Sequence, residues 1–166
     1  MHYDLLIQNP TVKDAIARHA ARAKSGISAE AFMSIADKLS GAVIPTATIA
    51  EIAQPLWASL GVKTGKNRRE TLALPIGEAM VRTLCGFAEN GLTVTTVNQA
   101  QDGCALSAKI PADIRSGAGE LHICLTSAGE QTLADAAAIV PGQLYDWGKS
   151  QKILNNLFAV LARPLD

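Results

Sequence analysis

The sequence predicts an α+β fold: an antiparallel sheet of about five strands covered by a long C-terminal helix and preceded by an N-terminal helical subdomain. Two observations predict it. Apolar residues recur every three to four positions up to about residue 60, and every second position from residue 92 onward, which are the periods of helix and strand. Turn signals separate the strand-like runs in order, as expected of hairpin-connected strands beside flanking helices.

Composition sets the bounds. A chain of 166 residues fits one domain, or one with an appended subdomain, and folding at this size buries roughly 70% of the unfolded surface. With 48% apolar and 18% charged residues, the chain has enough to bury and is not of the disordered class. Basic and acidic residues balance at 15 each, so no global field draws it to nucleic acid. Every apolar window is interrupted by charge before membrane-spanning length, and Met1 to Asn9 lack the pattern of a secretory signal. Cys85, Cys104 and Cys124 are odd in number and far apart, with no Cys-x-x-Cys pair. Together these features predict a reduced, cytoplasmic protein with no membrane span.

The helical part begins at Asn9-Pro10, a cap followed by a residue suited to the first helical position. Val12, Ile16, Ala20 and Ala23 follow at helical spacing, and Gly26 supplies a stop. Ser28 opens a second helix through Phe32, Ile35, Ala36 and Leu39. Thr48-x-x-Glu51 forms a capping box leading into Ile49, Ile52, Ala53, Leu56 and Leu60, where Pro55 must kink the helix or start another. These three helices define a subdomain over residues 1–62.

Gly61 to Glu70 is glycine-spaced and basic and reads as the boundary. Residues 1–70 carry 9 basic and 6 acidic residues, net +3, and residues 71–166 carry 6 and 9, net −3; Lys63, Lys66, Arg68 and Arg69 against Glu70 account for the excess. Gly61-Val-Lys-Thr-Gly65-Lys66 departs from a phosphate-binding loop: three residues, not four, separate its glycines, and Asn67 stands where a hydroxyl should follow the lysine. With aromatics at only 4%, the basic run also lacks the stacking partners of a nucleic-acid site. A solvated connection is the expected role.

The second domain is expected over residues 69–166. Arg69 to Leu74 forms a first strand, and Gly77 to Asn90 a helix closed by Gly91. Leu92 to Val97 alternates β-branched residues, and Asp102-Gly103 marks a hairpin. Cys104, Leu106, Ala108 and Ile110 then alternate with Ser107 and Lys109. Glu120 to Thr126 is a fourth strand, and Thr132 to Val140 a fifth whose alanines are equally compatible with helix. After Pro141-Gly142, a last helix over Leu144 to Leu161 lays its apolar side across the sheet.

Residues 69–163, with the turn Val140-Pro-Gly-Gln-Leu-Tyr-Asp-Trp-Gly-Lys-Ser150 leading into the terminal helix, resemble the helix-grip fold of START-like (SRPBCC) ligand-binding domains, in particular bacterial members of that group. The resemblance implies an apolar cavity between sheet and terminal helix, for a lipid or another apolar small molecule. The group is defined by shape, so it brings no catalytic residues with it.

Two sets of side chains stand out. Tyr145 and Trp147 at the helix junction, with Cys104 and Leu106 on a strand, are the candidate ligand-binding residues. Trp147 can bury its ring while its indole N–H finds a partner. His122 and Cys124, two apart on one strand, share a face; with Cys104 on a neighbouring strand they could form a zinc site or a thiol with a base, although no fourth ligand and no acidic partner is evident. His19, between Arg18 and Arg22, reads as a bystander on a polar helix face. The function expected is therefore a non-enzymatic protein binding an apolar small molecule, with no cofactor and no metal. The alternatives are a homodimeric assembly module and an enzyme or metal site using His122 and Cys124.

Overall fold

The structure, a computed structural model, describes residues 2–23, 27–39, 42–43, 47–59, 66–113, 117–140 and 148–165. Helix starts follow local chemistry. A short helix α1 (Tyr3–Gln8) precedes α2 (Pro10–Ala21), where the Asn9 side chain accepts a hydrogen bond from the Thr11 backbone N–H at 2.9 Å and Pro10 occupies the first turn. Ser28 caps α3 (Ala29–Lys38) through the Ala31 N–H. The capping box at α4 (Ile49–Ser59) closes in both directions, from Thr48 N–H to Glu51 Oε2 at 2.7 Å and from Glu51 N–H to Thr48 Oγ1 at 3.4 Å. Helix α4 stays helical through Pro55, with no new helix beginning there.

A two-residue strand β1 (Ala42–Val43) lies between α3 and α4, followed by β2 (Lys66–Leu72), α5 (Ile76–Glu89), β3 (Thr93–Gln99), β4 (Gly103–Ile110), β5 (Gly119–Ala128), β6 (Gln131–Ile139) and α6 (Lys149–Ala162). The sheet runs β1-β3-β4-β5-β6-β2, with all pairs antiparallel except β1 with β3. The five expected antiparallel strands are all present, and the short parallel β1 extends one edge. At the end of α5, Gly91 takes φ +64°, and Leu92 N–H reaches back to Phe87 O at 2.9 Å, the closure predicted for that glycine.

Three sequence expectations are corrected. The first strand begins at Lys66, inside the segment read as a basic connection. Its two arginines are held by partners: Arg68 lies 4.8 Å from the Phe158 ring centroid and bonds Glu70 and Asn155, while Arg69 pairs across the ladder with Asp135. The alternation in β3 is broken by a bulge between Val94 and Thr96, so Val94 and Val97 both face inward, as an extra residue in one strand requires. His19 is no bystander. It is 5% exposed, and its Nδ1 lies 2.7 Å from Glu89 on α5.

The inner face of the sheet carries Cys104, Leu106, Ala108 and Ile110 from β4, Leu121, Ile123 and Leu125 from β5, and Ala134, Ala136 and Ala138 from β6. Helix α5 packs over the middle of this face, α6 over β6 and β2, and α3 over β3. The cover is thus shared between α5 and α6. Gly77, Ala79, Cys85, Gly86 and Ala88 make α5 small on its flanks, so that it is buried nearly throughout. Gly86 admits α6: a Cβ there would stand 2.7 Å from Leu157 Cδ1. Helix α2 packs against α5. A single buried cluster joins Tyr3, Ile16 and Phe32 of the N-terminal helices to Leu106, Ile123 and Phe158. The outer face meets α4, where Ile49 and Ala53 pack on Ala105 and Cys124 as a separate small cluster.

Candidate functional site

Strand alternation sorts the candidate residues onto the two faces of the sheet. Cys104 pairs with Leu125 and faces inward; Ala105 pairs with Cys124 and Ser107 with His122, and these face outward. The sheet therefore separates Cys104 from His122 and Cys124, and the expected grouping of all three is corrected by the register. Among the described residues no three His, Cys, Asp or Glu side chains are placed to hold a metal ion. Burial pushes the Cys104 and Cys124 thiols up to about 12, with each other's proximity adding at Cys104 and Asp135 adding at Cys124. At neutral pH both remain protonated and are poor nucleophiles.

Of the four candidate ligand-binding residues, Tyr145 and Trp147 lie outside the described residues. Cys104 and Leu106 both point to the inner face and are buried. Their row neighbours define the surroundings: Gln99 pairs with Cys104, and Val97 with Leu106. Above this end of the sheet lie α3 and, against it, α1. Tyr3 of α1 donates its hydroxyl to Ala36 O of α3 at 2.8 Å. Burial raises the Tyr3 phenol above its ordinary range, and the closeness of Cys104, Asp4 and Asp37 adds to the rise. Tyr3 thus closes the corner of the core beside Cys104.

Gln99 is the unusual member of that corner. It is 5% exposed, and its side-chain carbonyl Oε1 is fully buried with no hydrogen-bond partner. Such atoms are few in folded proteins, because leaving a buried acceptor unpaired costs about 1–3 kcal/mol. Gln99 lies beyond the strand expected over Leu92 to Val97, in the stretch leading to the Asp102-Gly103 turn, where a glutamine is expected in solvent; the strand in fact runs to Gln99. The signal available was its place in the pattern, two residues beyond Val97 and on the same face.

The outer face carries a hydrogen-bonded row. Ser107 Oγ lies 2.8 Å from His122 Nδ1, and His122 Nε2 lies 3.1 Å from Glu120 Oε2. Ser107 and His122 are 6% and 5% exposed, whereas Glu120 reaches into solvent. Burial lowers the His122 pKa below its ordinary value, opposed by the Glu120 carboxylate. An acidic partner for His122 therefore exists, although the sequence reading found none. Glu120 stands two residues before His122 on the same strand, and the period-two rule alone places it on the same face. Ser107 required the β4–β5 register, which no local pattern supplies.

The ends of α4 and the sheet are tied together. Ile49 N–H donates to Asp102 Oδ1 at 2.7 Å in the β3–β4 hairpin, and Gln101 N–H donates to Ala47 O. Gly103 is required beside this contact: a Cβ there would stand 2.4 Å from Leu125 O and 2.8 Å from Ile49 Cβ. No described helix is long and apolar enough to cross a membrane. Comparison with protein-family models, with curated proteins and with solved structures returns no match.

Proposed function

We propose that this chain is a binding module for an apolar small molecule or lipid that carries a single hydrogen-bond donor. The ligand lodges at the inner face of the sheet, beside Cys104 and Leu106, and donates to Gln99 Oε1. The observation that carries this reading is the buried, unpartnered carbonyl of Gln99 on the inner face, opposite the buried Cys104. Apolar surroundings supply affinity by area, and a few placed polar atoms supply orientation. The START-like resemblance supports the same ligand class but places it beneath the last helix. The position of Gln99 moves the favoured site to the side covered by α1 and α3. Assembly as a homodimer through the sheet has less support, since the outermost long strand, β2, exposes Lys66 and Arg69, charges of the kind that discourage edge-to-edge pairing.

The test is a fluorescence titration with N-phenyl-1-naphthylamine, an uncharged apolar probe with one N–H donor. The proposal expects saturable 1:1 binding, weakened about tenfold by Gln99→Met, the size of one lost hydrogen bond. Absence of saturable binding, or equal affinity in Gln99→Met, contradicts it.

A further inference from the structure

We propose that Ser107, His122 and Glu120 form a second site, on the face of the sheet opposite Gln99, in which the serine hydroxyl is activated toward a short-chain activated ester. An ionised carboxylate only accepts, so the His122 nitrogen facing Glu120, Nε2, must carry the proton. Neutral imidazole has one N–H, which leaves Nδ1 as a lone pair. The Ser107 hydroxyl, 2.8 Å from Nδ1, therefore donates its proton to a base that Glu120 orients. The base stands within hydrogen-bond reach of the nucleophile on one side and of the orienting acid on the other. The lowered proton affinity of buried His122 keeps that lone pair free at neutral pH.

The geometry follows from the sheet. Ser107 and His122 are directly opposed residues of β4 and β5, and Glu120 is the next residue of β5 on that face. Ala137 of β6, opposite His122 on its other side, adds no competing hydrogen-bonding group. Ser107 retains 6% exposure, so the substrate class is small. In the reaction, Ser107 Oγ bonds to the ester carbonyl carbon while its proton passes to His122 Nδ1. Collapse of the tetrahedral adduct breaks the ester C–O bond, and the leaving alkoxide takes the proton from Nδ1, leaving acyl-Ser107. Water then attacks the acyl carbon, its proton passing through Nδ1 to Ser107 Oγ as the carboxylic acid departs. Ester and water are consumed, and acid and alcohol are formed.

Two measurements test it. Long-range ¹H–¹⁵N spectra of the intact chain should show His122 as the Nε2–H tautomer; an Nδ1–H tautomer overturns the proposal, because Ser107 would then accept and not donate. Incubation with p-nitrophenyl acetate, followed by peptide mass spectrometry, should place an acetyl group on Ser107. The adduct should vanish in Ser107→Ala and form about a hundredfold more slowly in His122→Gln, the scale of a lost general base. Because Glu120 is exposed, Glu120→Ala leaves the core untouched. It should slow acetylation about tenfold and mix the His122 tautomers, and Glu120→Gln, which still accepts from Nε2–H, should restore the single tautomer. No adduct on Ser107, or rates unchanged in both His122→Gln and Glu120→Ala, overturns the assignment.

Discussion

Asp102 Oδ1 accepts the backbone N–H of Ile49 at 2.7 Å, and together with the bond from Gln101 N–H to Ala47 O it ties the start of α4 to the sheet. The acceptor belongs to the β3–β4 hairpin and the donor to the first residue of the helix, so the turn that sets the register of the inner strands also anchors the outer cover. Replacing Asp102 by Ala leaves the Thr48–Glu51 capping box in place but removes the acceptor of the first helical N–H, at a cost of about 1 kcal/mol. Cys124 lies under α4, whereas Cys85 and Cys104 lie in the main core. Thiol labelling of the folded protein should therefore accelerate severalfold at Cys124 in Asp102→Ala and remain unchanged at the other two. Equal labelling rates at all three cysteines would show that α4 opens only with the whole fold.

Gly103 carries the same junction from the other side. Because a Cβ there would meet the Leu125 carbonyl and Ile49 together, Gly103→Ala must shift either β5 or α4. A loss of roughly 1–3 kcal/mol is expected, the range for overpacking, read as a lower urea midpoint.

Arg82 joins α5 to the end of α6. It is buried, bonds Glu78 one turn earlier, and donates from Nη1 to Leu161 O at 2.8 Å. Arg82→Met keeps the aliphatic volume and leaves that carbonyl without its donor. The expected cost is about 1–3 kcal/mol, measured by chemical denaturation.

Acid should weaken the fold in two steps. His122 holds its proton less readily in the fold than at its ordinary 6.5, mainly because it is buried. For Glu89, burial opposes ionisation, but hydrogen bonds from His19 and Arg163 outweigh it and hold the carboxyl below its ordinary 4.5. In both cases the unfolded chain takes up protons first as pH falls, so stability rises with pH. The His122 contribution is present above 6.5 and lost as pH falls through the lowered value; the Glu89 contribution is present above 4.5 and lost further into acid. Urea midpoints across this range should lose the first step in His122→Gln and the second in Glu89→Gln.

What the sequence made legible was local. The caps at Asn9, Ser28 and Thr48, the Gly91 helix end and the β4–β5 alternation each rest on residues a few positions apart. What it hid was set by distant partners. Strand β1 has only two residues and exists through Asn98 and Gln99. Lys66 to Arg68 read as part of a connection because the run is basic, yet they pair along β6, and Phe158 and Asn155 hold the Arg68 side chain. His19 looked solvated among arginines until Glu89, 70 positions away, was placed beside it. The polar row on the outer face was half legible: Glu120 and His122 share a strand, while Ser107 joins them only across the ladder.

The most direct test of ligand binding at the inner face is a nuclear Overhauser experiment on the complex with N-phenyl-1-naphthylamine. Contacts from the bound probe to the Leu106 methyls, the Cys104 β-protons and the Gln99 side-chain amide are predicted. Contacts confined to exposed positions such as Leu5, 70% exposed on α1, with none to Leu106 or Gln99, would contradict it.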